Sequence, residues 1–267
     1  SAIMAASASL RGLEQYRRNV GRVSSQVDAE ESALSQVTDL MTRARELGIG
    51  TIGANVDAQG RRVASLEVRR LIEQVVNVAN TKVGEEYLFG GTNNDGRAPI
   101  TLPTTLPDGT RVFVPTDPPV PPATDPVPRE PTGQRQVEIA AGQTMPGAHA
   151  GKELFLDSGM LAALTDLADA MQADDPSRMA TALSALDGAF ATTQGFVGEV
   201  GARQNQIDVV RAGLDALETT LTEQKSDLAE VDMEQAITEM IQRQTAYQAA
   251  MLASSRVMGL SLTDYLR

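Results

Sequence analysis

Cysteine and tryptophan are absent from this chain, histidine occurs once, and the aromatic side chains amount to four Tyr and five Phe in 267 residues. Without Cys there is no thiol nucleophile, thiolate metal site or disulfide framework, as suits a chain that crosses a secretion channel unfolded and works outside the cell without a bridge. With a single His, a catalytic or metal role for it would need partners that this chain barely offers. No apolar run reaches the 18 residues that a membrane-spanning helix needs. The opening "SAIMAASASLRGLEQ" lacks the basic start and pure apolar core of a secretory signal, and it begins with Ser, so a segment upstream of it is expected. Basic residues are also short: 23 against 35 acidic ones give a net charge of −12 and argue against a nucleic-acid partner or an anionic membrane surface.

What the chain has instead is periodicity. Apolar residues recur every seven positions at Leu13, Val20, Val27, Leu34 and Met41, and Tyr16, Val23, Glu30, Val37 and Ala44 complete an a/d stripe with one polar member. The spacing predicts a coiled-coil-like helix to about Leu47, ended by the glycines of "GIGTIG". A second helix is expected over about Val56 to Val83, packed antiparallel on the first and using Val63, Leu66, Leu71, Ile72, Val75, Val76 and Ala79. Near the other end, "GMLAALTDLADAMQ" reads as a short helix, Pro176 as a helix-starting proline, and Met179, Leu183, Leu186 and Phe190 as an apolar stripe. Val200, Ile207, Leu214, Leu221 and Leu228 then restore the heptad, with Val210, Leu217, Gln224 and Val231 in its second seam.

Between these helices the texture changes. Eleven of the thirteen prolines lie from Pro99 to Pro131, which is incompatible with a helix or a central strand. "EYLF", "TRVFVPT", "RQVEIA" and "KELFLD" are short strand candidates around it. The expected organisation is mainly α: residues 1–83 and 157–231 form a discontinuous rod of long antiparallel helices, and 84–156 a small β-rich insertion carrying the proline-rich loop 99–131. Residues 232–267 form a C-terminal assembly helix with a capping-like Asp232. That last helix mixes Met and Gln into its stripe, which specifies a private core poorly and suits an assembly face. Its candidate interface residues are Ile237, Met240, Ile241, Met251, Leu252, Met258, Leu262 and Leu266. Tyr87, Phe89, Gly90 and Gly91, in "GEEYLFGGTNNDG", are the candidate junction between rod and insertion, with Tyr87 and Phe89 alternating with Leu88 along a short strand.

Several residue patterns have a sharper reading to weigh. "GGTNNDG" has the glycines of a phosphate or Ca²⁺ loop but neither the Lys-Ser/Thr pair nor the spaced carboxylates such sites need, so a turn is expected. His149, in "PGAHAG", is expected to be an exposed turn residue. The pairs Glu30/Glu31 and Asp174/Asp175 are expected to be solvated or matched to helix dipoles. Glu30, inside an apolar seam, either pairs with an Arg of a facing helix or marks where the seam drifts outward.

Four strings, in order, resemble the flagellin superfamily: "EESALSQVTDLMTRARELGIG", "LIEQVVNVANTKVGEEYLFGGT", "RQVEIAAGQTMPGAHAGKELF" and "LAEVDMEQAITEMIQRQTAYQAAMLASSRVMGLSLTDYLR". The ending "GLSLTDYL" leans toward the hook-associated branch of that superfamily. The resemblance implies a non-enzymatic subunit of the extracellular flagellum, without cofactor or metal, joining hook to filament, with filament flagellin as the alternative and a helical-bundle sensor as a remote one. It further implies export through the flagellar type III apparatus, an export chaperone as a partner, and further partners that are copies of itself and neighbouring hook-associated and flagellin subunits. Members of the superfamily usually carry about forty further N-terminal residues with an S-G-x-R…D-D-P segment, so the terminal coiled coil is expected to need that segment.

Overall fold

The computed structural model describes residues 2–53, 56–92, 96–107, 109–118 and 126–265, with side chains described through 255 except at 232. Among the described residues there are four α-helices: α1 (Ala2–Ile52), α2 (Ala58–Ala79), α3 (Met160–Gln172) and α4 (Pro176–Tyr265). By contact density the chain forms two compact units, one of residues 16–211 and one of residues 1–15 with 212–267.

In the larger unit, α1 buries the stripe its sequence spells out. Val20, Val23, Val27, Glu30, Leu34, Val37, Met41 and Ala44 are all buried. The facing stripe on α4 keeps the same 3–4 spacing through Met179, Ala182, Leu186, Ala189 and Thr193 and a seven-residue repeat on to Val200 and Ile207. Contacts between the two helices pair Gly48 with Leu183, Arg45 with Asp187, Met41 with Thr193, Glu31 with Gln204 and Glu30 with Arg203. As one number rises the other falls, so the helices run antiparallel. α2 folds back on α1 through Arg43–Glu67 at 2.8 Å and through Arg61, whose Nε donates to the Thr51 carbonyl at 2.9 Å. α3 returns along α2 through Arg69–Asp169 at 2.7 Å, Ser65–Gln172 at 3.1 Å and Arg61–Asp174.

Several sequence expectations give way here. α1 continues through Gly48 and Gly50 to Ile52. Gly48 ends nothing; a Cβ there would stand 2.5 Å from Leu183 Cδ2, so its role is close approach of two helices. Val63 and Leu66 of α2 are exposed, whereas Arg61 is buried in their place, its guanidinium spent on carbonyls and on Asp174. α4 is continuous from Pro176, with Asp175 accepting from the amides of Ser177 and Arg178, so no new helix starts at Asp232. The reason is legible afterwards: no Gly or Pro lies between Gly213 and Gly259.

Among its described residues the insertion holds four separate two-stranded antiparallel ribbons rather than one sheet: β1 (Lys82–Val83) with β2 (Glu86–Tyr87), β3 (Thr104–Thr105) with β4 (Arg111–Val112), β5 (Thr116–Asp117) with β6 (Val127–Pro128), and β7 (Gln136–Ala140) with β8 (Gln143–Pro146). Prolines supply no ladder N–H, and those in and beside β3–β4 and β5–β6 keep these two ribbons to two residues a side. "KELFLD" is a π-helical turn, Lys152–Asp157, and not a strand. Its adjacent Leu154 and Phe155 are both buried, which a strand's alternation would forbid.

The turn that follows α2 is fixed by glycine. Gly91 has φ +63°, and a Cβ on it would lie 2.3 Å from the Thr132 carbonyl oxygen. Gly84 has φ +65° and open space around it. Gly84→Ala should therefore cost about 1 kcal/mol, from the left-handed backbone alone. Gly91→Ala should cost about 3 kcal/mol, because backbone must also move. Chemical denaturation of the two variants beside the parent checks this, and equal losses would contradict it.

Candidate functional site

Three places were singled out as functional by sequence or geometry, and each is built differently. The first is the turn after α2. Tyr87 ends β2 half-buried under Lys82, whose Nζ stands 4.5 Å from the ring centroid. Leu88 and Phe89 are both buried and lie beyond the strand, so the expected alternation of Tyr87, Leu88 and Phe89 does not occur. Phe89 meets Phe155 edge-on at 5.2 Å, its carbonyl accepts from Gly151 N–H at 2.9 Å, and Thr92 N–H donates to the Thr132 carbonyl at 2.9 Å. Arg135 closes the group by donating to the Gly91 carbonyl at 3.1 Å and pairing with Glu86. Gly90 and Gly91 are buried within it. These contacts make the turn a packed connection between α2 and the insertion.

The second place is the end of α4. In the unit containing residues 212–267, Leu214 is buried and Leu221 and Leu228 are half-buried, while every described side chain from 229 to 255 is exposed. Among them are Ile237 (51 % exposed), Met240 (62 %), Ile241, Met251 and Leu252, with Val231, Met233 and Tyr247 beside them. Met258 and Leu262 lie on the described helix backbone with side chains outside the described residues, and Leu266 lies outside them altogether. The heptad from Leu214 through Leu221 and Leu228 would continue at Gln235, yet the next apolar stripe starts at Ile237. At about 100° per residue that offset turns the stripe to roughly the opposite side of the helix. Tyr247 falls on its edge. The helix thus exposes a contiguous apolar stripe on a face away from its internal heptad.

The third place departs from the sequence expectation. His149 is not exposed: it is 3 % accessible and lies in the α1–α4 seam, with Glu30 at 0 %. The turn after β8 is drawn in because Gly147 donates to the Arg135 carbonyl at 2.8 Å and abuts Gln26 of α1. Glu30 Oε1 then accepts from the His149 amide at 3.1 Å and lies 2.5 Å from its Nδ1. His149 Nε2 lies 3.0 Å from Glu199 Oε2, and Phe196 meets the imidazole edge-on at 5.0 Å. Arg203 lies 3.4 Å from Glu30 Oε2 and donates to the Gly147 carbonyl at 2.6 Å. Of the two readings of Glu30, pairing with a facing Arg is the one that holds. Arg203 was findable, since the α4 heptad carried from Val200 to Ile207 puts it between them in the seam. The exposed Asp174, at φ +56°, pairs with Arg61, and Asp175 caps α4 as expected of dipole-matched carboxylates.

With this geometry in hand, comparison with known proteins is decisive on family. The model of the bacterial flagellin N-terminal helical region matches residues 2–94, and that of the flagellin C-terminal helical region matches residues 183–266, together more than half of the chain. The chain belongs to the flagellin family. It is similar to flagellar hook-associated protein 3 of Escherichia coli, 28 % identical over 88 % of this chain and 76 % of that protein. It is also similar to flagellin FlaB2 of Treponema pallidum, 23 % identical over 97 % of this chain and 81 % of that one. Among solved structures, a putative flagellar hook-associated protein from Vibrio parahaemolyticus aligns with a TM-score of 0.70 at 18 % identity, over 85 % of this chain and 95 % of its own. FlgL of Bacillus cereus aligns with a TM-score of 0.64 at 21 % identity, over 82 % and 97 %. These structures bear out the mainly helical fold with small strand pairs.

Removing one member of the buried group strands the others. Glu30→Gln should destabilise the protein by about 3 kcal/mol, since the Arg203 guanidinium loses its carboxylate in a dry seam. Adding Arg203→Met should recover part of that loss, as measured by urea denaturation. A double variant weaker than the single one by the full cost of a second deletion would show that the two residues do not act as a pair.

Proposed function

We propose that this chain is a non-enzymatic structural subunit of the bacterial flagellum that joins hook to filament, and that it assembles through the exposed stripe at the end of α4. The observation that carries the reading is the stripe itself: Ile237, Met240, Ile241, Met251 and Leu252 stand in water on a face turned away from the internal heptad. Burying each such side chain on assembly contributes on the order of 1.5–3 kcal/mol, so one helix supplies a large share of a subunit contact. The name of the Escherichia coli relative supports the hook-associated role. In this reading the partners are copies of the chain and neighbouring hook-associated and flagellin subunits. The protein reaches the extracellular flagellum through the flagellar type III apparatus, escorted by an export chaperone, and needs neither nucleic acid nor membrane. Among the described residues no helix is long and apolar enough to cross a membrane and no cluster could hold a metal ion. The turn at Tyr87, Phe89, Gly90 and Gly91 serves as the rigid joint between helical rod and insertion.

A second reading, filament flagellin, draws on the treponemal relatives, one named a flagellin and the other a flagellar filament core protein. The two differ in what the protein does alone: flagellin extends into long filaments, whereas a junction subunit adds to hooks in a limited layer.

Deleting residues 232–267 should leave the unit of residues 16–211 folded, with its helical circular dichroism and melting transition kept, and abolish assembly onto purified hooks. A truncated protein that still decorates hooks would refute the role given to α4. Long filaments grown from the full chain alone would favour flagellin.

A further inference from the structure

The buried group around His149 has a feature that packing alone does not require. Both ring nitrogens face carboxylate oxygens, Nδ1 at 2.5 Å from Glu30 Oε1 and Nε2 at 3.0 Å from Glu199 Oε2. A neutral imidazole has one N–H, so it can serve only one of them, and its other lone pair then points at a carboxylate. The imidazolium serves both. The charged groups facing the ring are Glu30 from α1 and Glu199 and Arg203 from α4; the ring sits on the turn between β8 and the π-helical turn.

We infer that His149 is a pH-operated clamp: as an imidazolium it ties α1 to α4 across the seated turn, and on losing its Nε2 proton to solvent it releases Glu199. The two sides are unequal. Glu30 has no access to water and keeps Nδ1–H in either state, whereas Glu199 is 63 % exposed at its side chain and can swing out into solvent. Arg203 NH2, already 3.3 Å from Nε2, can then donate to the vacated lone pair, a shift that competes with its contacts to Glu30 and the Gly147 carbonyl. The alkaline state is thus an exchange of partner on α4 rather than a loss of the seam.

Burial alone would lower the imidazole's pKa, but the hydrogen bonds and charge of Glu30, helped by Glu199, overcome burial and the repulsion of Arg203 and hold it above the ordinary value. A basic group raised in this way stabilises the fold fully below its unfolded pKa, and that contribution is lost as pH climbs through the folded pKa. The loss therefore begins near about pH 6.5 and is complete above the folded value.

Because His149 is the one histidine, its C–H signals in a proton–carbon NMR titration of the full chain need no assignment. The expected midpoint lies above about 6.5. Glu30→Gln lowers it by about one unit or more, and the exposed Glu199→Gln by less while leaving the fold intact. Melting temperature should fall by about 3 °C more in the parent than in His149→Gln between about pH 6 and about pH 9. A midpoint at or below about 6.5 in the parent, or one unmoved by Glu199→Gln, would overturn the clamp. So would parallel melting profiles of parent and His149→Gln.

Discussion

A carboxylate without access to water cannot stand alone inside a helix seam, and Glu30 imposes that condition on everything around it. Its position in the α1 stripe requires a cation from the opposite helix, which Arg203 supplies from an equivalent seam position. Its remaining lone pairs require donors, and the turn after β8 supplies a backbone amide and an imidazole. One side chain therefore fixes the pairing of α1 with α4 and the place where the insertion returns to the helices.

Apart from Thr193, the rest of the buried α1–α4 seam is apolar and built from Val, Leu, Ile, Met and Ala at heptad spacing. Such a seam is strong but repetitive. α4 stays apolar in one stripe past the point where its side chains become exposed, though with Met and Gln mixed in, and the change of face at Ile237 marks where that stripe leaves the chain's own heptad. The apolar area that would be a liability on a finished monomer is what an assembling subunit must carry.

The heptads were legible because period 3.5 survives in the sequence without knowledge of the partner: all eight interior α1 positions from Val20 to Ala44 are buried where the spacing put them. What escaped notice shares one cause, a local signal with two physical meanings. Glycine at 48 was read as a helix end and serves helix approach. "KELFLD" has strand-like residues, but its consecutive Leu154 and Phe155 face one core and so need a helical turn. Asp232 followed by Gln235 has the form of a cap and lies inside an uninterrupted helix. His149 was placed in a turn correctly and exposed wrongly, because nothing near it in sequence reveals that Glu30, 119 positions away, draws the turn into the seam.

The polar group also answers a problem the apolar seam leaves open. Sliding α4 by one heptad would keep small and branched side chains facing α1 almost throughout, at little cost in buried area. At Glu30, however, the slide would bring up Phe196 or Val210, the seam positions seven residues either side of Arg203. The carboxylate would then be buried without a cation, a penalty of about 3–5 kcal/mol, while Arg203 would face an apolar site of its own. Two opposite charges in a dry seam add little net stability in the correct register and make every neighbouring register expensive. That is the same arrangement by which one polar residue fixes alignment in a coiled coil, here shared between two helices and a turn.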